Sequence, residues 1–164
     1  MTSGDRSRAL RPILLGGLIA GTFDISYACI YSYVVRRTSP IRILQSVASG
    51  ALGAKAFTGG LKSAVLGLAF HFLIALTAAA VYYLASRELR FLITQAIICG
   101  VIYGIGIYLF MNFVVLPLSA IPFKMSYPLA SLIGGLLIHM LGIGLPIALV
   151  VRRYSKINQI NRDE

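Results

Sequence analysis

Three ionisable side chains stand inside otherwise apolar stretches of this sequence: Asp24, His71 and His139. A carboxylate beside imidazoles can take up, share and release a proton. In hydrocarbon an Asp costs about 2.5–3.5 kcal/mol at a helix centre, so a partner must offset part of that cost. Ionisable residues at such depth mark proton or ion pathways by default. The structural alternative is that they only hold helices together, at about 0.6 kcal/mol for an average interhelical hydrogen bond. Two histidines and a carboxylate are also a donor set for zinc or a similar divalent ion. That metal signal is weak, because the H-E-x-x-H spacing is absent and each ligand comes from a different segment.

The neighbours of these residues are informative. Gly17, Gly21, Asp24 and Ala28 share one helical face, as do Gly67, His71, Ala75 and Ala78, and again Gly135, His139 and Gly142. Small residues let membrane helices approach closely, so the polar groups can meet. Tyr27 and Tyr31 continue the Asp24 face and extend a hydrogen-bonding row. Gly100 and Gly104 offer packing surface in another segment, followed by Tyr108 and Asn112 four residues apart. The candidate proton or ion site is therefore Asp24, His71 and His139, with Tyr27, Tyr31, Tyr108 and Asn112 around it.

Other chemistry finds little support. There is no phosphate-binding loop and no Gly-x-Ser-x-Gly, and no feature calls for a cofactor. An enzyme ranks behind transport and scaffold readings. Cys29 and Cys99 fall in different segments and form no C-x-x-C pair. If those segments run in parallel, the two differ in depth by roughly 13 Å. That is too far for a disulfide, so both read as packing residues.

The elements that position these residues follow from composition. Hydrophobic residues make up 58% of the 164 and charged residues 12%, where a soluble domain carries about 25% charged. The apolar residues come in blocks, over 12–35, 63–86, 91–116 and 128–151. Each block is roughly 36–39 Å long as a helix, enough for a hydrocarbon core of about 30 Å. Helix is the open-chain solution in lipid because it satisfies its own backbone. The expected fold is all-α: one integral membrane domain over 1–164, a four-helix transmembrane bundle.

Between spans 1 and 2, residues 40–54 predict a short amphipathic helix. Ser39-Pro40 opens it, and Leu44, Val47, Ala48, Ala51 and Leu52 recur at helical spacing. It is too short to span, so it lies at the interface or dips in as a re-entrant element. The turn Arg87-Glu88-Leu89-Arg90 makes spans 2 and 3 antiparallel neighbours. Pro117, Pro122 and Pro128 break the loop before span 4. A basic start and Ser26-Tyr27-Ala28-Cys29 invite a cleaved-signal reading. Against it, Asp24 interrupts the apolar run, which continues to Arg36-Arg37.

The net charge is +10, but the basic residues gather at the span ends, where they set topology and meet anionic lipid headgroups. No compact nucleic-acid module fits. Nine basic residues share the side of the termini: Arg6, Arg8, Arg11, Arg87, Arg90, Arg152, Arg153, Lys156 and Arg162. Six share the other: Arg36, Arg37, Arg42, Lys55, Lys62 and Lys124. The positive-inside rule then puts both termini in the cytoplasm. Counted from the ends, Asp24, His71 and His139 fall within about 5 Å of one depth, near mid-membrane.

Four stretches carry a family resemblance: Gly-Gly-Leu-Ile-Ala-Gly-Thr-Phe-Asp over 16–24, Leu-Gln-Ser-Val-Ala-Ser-Gly over 44–50, Leu-Ala-Phe-His-Phe over 68–72, and Met-Asn-Phe-Val-Val-Leu-Pro-Leu-Ser over 111–119. In these the chain resembles a family of four-span bacterial inner-membrane proteins. It is loosely similar to YagU-type proteins, through the Gly-rich first span with its Asp. The resemblance implies a bacterial inner membrane and supplies no established activity; the YagU likeness adds a link to acid tolerance.

The leading expectation is proton- or ion-coupled transport, with Asp24 taking up the proton and the histidines as partners. Four short helices enclose little space, which makes a homo-oligomer one form of the working unit. The alternative is a non-catalytic scaffold or accessory protein whose polar residues only fix helix packing.

Overall fold

The computed structural model describes residues 3–122 and 128–163, with side chains placed over 10–122 and 128–155. Lys124 of the expected loop lies outside the described residues, as do the side chains of Arg6, Arg8, Lys156 and Arg162. The described residues are helical, without a strand. The helices are α1 (Ser3–Arg36), α2 (Pro40–Leu52), α3 (Gly60–Glu88), α4 (Phe91–Thr94), α5 (Ala96–Phe110), α6 (Leu116–Leu118), α7 (Leu129–Ile138) and α8 (Leu145–Asp163). A 3-10 turn covers Gly53–Phe57, and π turns cover Met111–Val115 and His139–Gly144.

Four stretches are long and apolar enough to cross a membrane: Leu10–Arg36, Gly60–Glu88, Ala96–Leu118 and Leu129–Ser155. Leu14, Ile30, Leu73, Val81, Ile102 and Phe113 are all exposed, while the buried positions are mostly Ala, Gly and Ser. Apolar surface outside and small residues inside is the pattern of a polytopic membrane protein, whose helices associate by close packing.

That packing is densest toward the end that holds the termini. Ala20, Ala79, Tyr82, Ala96, Ile143, Ile147, Ala148 and Val151 form one buried cluster there. A Cβ on Gly17 would stand 2.9 Å from the Leu76 Cα, so α1 and α3 meet backbone to backbone. On the other side of the bundle, a Cβ on Gly104 would strike the His139 carbonyl and one on Gly144 the Gly100 carbonyl. Spans 3 and 4 are thus locked at those glycines.

Span 3 departs from the expected continuous run at Phe91. The chain leaves helical geometry at Gln95 (φ −104°, ψ 38°), separating α4 from α5. The Tyr82 hydroxyl donates to the Leu92 carbonyl at 2.9 Å, so an acceptor in the broken turn is taken by α3. Spans 2 and 3 are joined by the short turn as expected. They meet through tyrosines: the Tyr82 and Tyr103 rings lie 5.0 Å apart, and the Tyr103 hydroxyl donates to the Ala78 carbonyl at 2.7 Å.

Helix α2 starts where the sequence predicts. Ser39 caps it, its hydroxyl accepting from the Arg42 amide at 3.3 Å, with Pro40 in the first turn. Its orientation is the reverse of a simple apolar-inward helix. Gln45, Ala48 and Ser49 are buried, whereas Ile41, Ala51 and Leu52 are exposed. The reason is close approach: a Cβ on Gly67 would collide with the Leu44 carbonyl. The small and polar face therefore meets α3, where Gln45 donates to the Gly60 carbonyl at 3.0 Å. The Ala120 amide donates to the Gly50 carbonyl at 2.9 Å, tying α2 to the end of span 3. Contacts with α3 from Gly60 to Gly67 extend about 10 Å along that helix.

Candidate functional site

Asp24 lies two-thirds of the way along α1, one turn beyond Gly21. A Cβ on Gly21 would stand 2.8 Å from the Phe72 ring and 3.2 Å from the Ala75 methyl. Glycine there lets α3 approach until the His71 Nε2 reaches the Gly21 carbonyl at 2.9 Å. The other ring nitrogen, Nδ1, then faces Asp24 Oδ2 at 4.0 Å. His139 opens the π turn of span 4, and its Nδ1 lies 4.0 Å from Asp24 Oδ1. One carboxylate thus stands between two imidazoles, each facing a different oxygen. The side chains of Asp24, His71 and His139 are 21%, 13% and 16% exposed.

The hydrogen inventory separates the two histidines. A carbonyl oxygen only accepts, so His71 Nε2 must carry the hydrogen that it shares with Gly21. In neutral His71 the Nδ1 facing Asp24 is then a lone pair, set against a carboxylate that is also acceptor-only. Attraction needs one further proton, on the ring or on the carboxyl. His139 differs: its Nδ1 donates its one hydrogen to the Gly135 carbonyl at 2.8 Å, so toward Asp24 Oδ1 at 4.0 Å it offers the charge of a protonated ring rather than a hydrogen bond.

Span 3 steadies His139. Gly104 packs on its carbonyl, and the Tyr108 ring meets the imidazole edge-on at 5.2 Å. The Tyr108 ring edge also lies where a Cβ on Gly135 would come within 3.0 Å. A π turn at such a residue fits the frequent placement of π bulges at functional sites.

The other expected site residues divide. Tyr27 and Tyr31 stack at 5.6 Å with planes 20° apart, on the face that leads away from Asp24. The Tyr27 hydroxyl lies over Gly134, and the Tyr31 hydroxyl pairs with Ser131 Oγ at 3.0 Å. Asn112 turns back on its own helix, donating to the Tyr108 carbonyl at 2.8 Å beside the π turn. It is bonded within span 3 rather than to the Asp24 group. Sequence reasoning missed Ser131, although a lone serine in an apolar run was readable, and missed the Gly21 carbonyl, which no side-chain pattern could signal.

Among the described residues, no group of three His, Cys, Asp or Glu side chains is arranged to hold a metal ion. Both histidines spend a ring nitrogen on a helix carbonyl, which leaves His71 Nδ1 as the lone pair directed to Asp24 in the neutral ring. Cys29 and Cys99 are both free. The arrangement suits proton sharing between a carboxylate and an imidazole inside a multi-pass membrane protein. Comparison of the chain with protein-family models, curated proteins and solved structures returned no match.

Proposed function

We propose that this polytopic membrane protein takes up and releases a proton at Asp24 as part of proton- or cation-coupled transport. His71 shares the proton, and His139, anchored on the Gly135 carbonyl, flanks the opposite carboxylate oxygen as a second imidazole. The observation that carries this reading is the placement of Asp24 between two imidazole Nδ1 atoms, each at 4.0 Å. A carboxylate that only glued helices would accept a hydrogen bond from its neighbour; here both imidazoles stand at 4.0 Å with a hydrogen already given to a helix carbonyl. The proposed setting is a bacterial inner membrane with both termini cytoplasmic, in line with the four-span family likeness and the distribution of basic residues. Anionic headgroups at the basic span ends and a homo-oligomeric working unit belong to the same proposal.

The test is proton or cation flux into liposomes carrying wild type, Asp24→Asn or His71→Ala. Flux from wild type that falls to the level of empty vesicles in Asp24→Asn is the expected result. Equal flux from all three, at the empty-vesicle level, removes the reading.

The scaffold alternative has its own observation. The His71–Gly21 bond and the Tyr103–Ala78 bond both join separate spans, as interhelical polar glue does. Under that reading Asp24→Asn lowers stability and leaves flux unchanged.

A further inference from the structure

We infer that in this conformation the Asp24 site exchanges protons with one side of the membrane only, the side opposite the chain termini, by way of Tyr27, Tyr31 and Ser131. The inference deepens the proton-handling reading and rests on it.

Toward the termini the bundle is sealed. One turn from the site toward the termini stand Ala20 and Ile143, and about two turns away Ala79, Ile147 and Ala148, none more than 7% exposed. Gly17 against Leu76 and Gly16 against Ile147 bring backbones close together about two turns below the site. Two tyrosine hydroxyls in this half are already bonded: Tyr82 to the Leu92 carbonyl and Tyr103 to the Ala78 carbonyl. In the described spans no Asp, Glu, His, Lys or Arg lies between the Asp24 layer and Arg11, Arg87 or Arg152.

Away from the termini the bundle is different in each sector. Over α3, one turn beyond His71, Gly67 is covered by Leu44 and Ala48 of α2, so that sector is closed. Between α1 and α7 the lining is Tyr27, Tyr31 and Ser131, all partly exposed, and the Tyr31–Ser131 pair supplies two hydroxyls that can each donate or accept. The titratable groups that face Asp24 are Tyr27 on its own helix, His71 from α3 and His139 from span 4, with Tyr108 of α5 behind His139. A proton leaving Asp24 or His71 passes to water through this hydroxyl-lined sector, and the pair regains it the same way. In this state it is a binding site open to one bath rather than a continuous channel, and transport requires a second state that opens the terminal side.

Single-cysteine accessibility tests this. In full-length protein carrying Cys29→Ala and Cys99→Ala, reconstituted with known sidedness, Tyr31→Cys and Ser131→Cys are compared with Ala20→Cys, Ala79→Cys and Ala148→Cys. The probe is a charged, membrane-impermeant methanethiosulfonate applied from either bath, with size-exclusion profiles confirming folding. Tyr31→Cys or Ser131→Cys should react from the side opposite the termini at least about tenfold faster than the alanine positions react from the terminal side, since reaction needs a hydrated thiolate. Comparable rates at the alanine positions from the terminal side overturn the inference, and so does failure of both Tyr31→Cys and Ser131→Cys to react from the opposite side. Flux with two-sided labelling would remove one-sided access and leave proton handling standing. One-sided labelling with no flux in any variant would do the reverse.

Discussion

Asp24 and His71 face each other through one carboxylate oxygen and one ring nitrogen at 4.0 Å, and neither atom owns a hydrogen when both groups are in their ordinary forms. The other nitrogen of His71 is spent on Gly21, so the pair is attractive only when it holds a proton in common. Each partner therefore sets the value of the other. This coupling predicts non-additive substitutions. In a double-mutant cycle of Asp24→Asn and His71→Gln, measured by detergent unfolding, the coupling should be about 1 kcal/mol. Additive effects would show that the two side chains act independently.

Removal of the tyrosine hydroxyls should weaken the terminal half of the bundle without touching the site. Tyr82→Phe and Tyr103→Phe each lose one bond to a carbonyl of another helical segment. Such bonds contribute about 0.6 kcal/mol on average in membrane proteins. Detergent unfolding should register a loss of that order for each, with flux retained.

Gly104 and Gly106 make an internal control. A methyl at 104 would strike the His139 carbonyl, whereas a methyl at 106 meets nothing within 4 Å. Gly104→Ala should cost about 1–3 kcal/mol as an overpacked contact and displace His139 from Asp24. Gly106→Ala should be neutral or slightly stabilising in the same unfolding assay. Equal effects would mean that spans 3 and 4 are not in backbone contact at this point.

At Gly67 the collision is with α2 rather than with a span. Gly67→Ala should loosen α2, seen as faster hydrogen exchange over residues 44–50, while exchange in the buried terminal half stays unchanged. No change over 44–50 would place α2 elsewhere.

Spans and site were legible in the sequence to different degrees, for physical reasons. Long apolar runs bounded by charge announce membrane helices because lipid leaves few alternatives. Asp24, His71 and His139 could be read as one layer because each sits beside small residues at a similar distance from a span end, and the structure brings them within reach. The interruption at Gln95 was not legible, since glutamine is no helix breaker and the acceptor in that turn is occupied by Tyr82 from another helix. Gly67 was legible as a packing residue but not by partner, because a glycine face says nothing about which backbone will use it. The inward turn of Gln45 and Ser49 in α2 ran against the apolar periodicity, which in lipid marks the outside as readily as the inside.

The π turn at His139–Gly144 has a consequence for span 4 as a whole. A π turn accommodates about one residue more than an α turn, and one residue is roughly 100° of rotation. Span 4 is thus two helices set out of phase, α7 beyond the turn and α8 before the termini. Ile147, Ala148 and Val151 fix the phase of α8 in the buried cluster, while Gly134 and Gly135 fix that of α7 under Tyr27 and Tyr108. The aim of His139 at Asp24 belongs to the splice between them. It behaves like a one-residue insertion: a regular helix through the same sequence would rotate one half out of register with its neighbours.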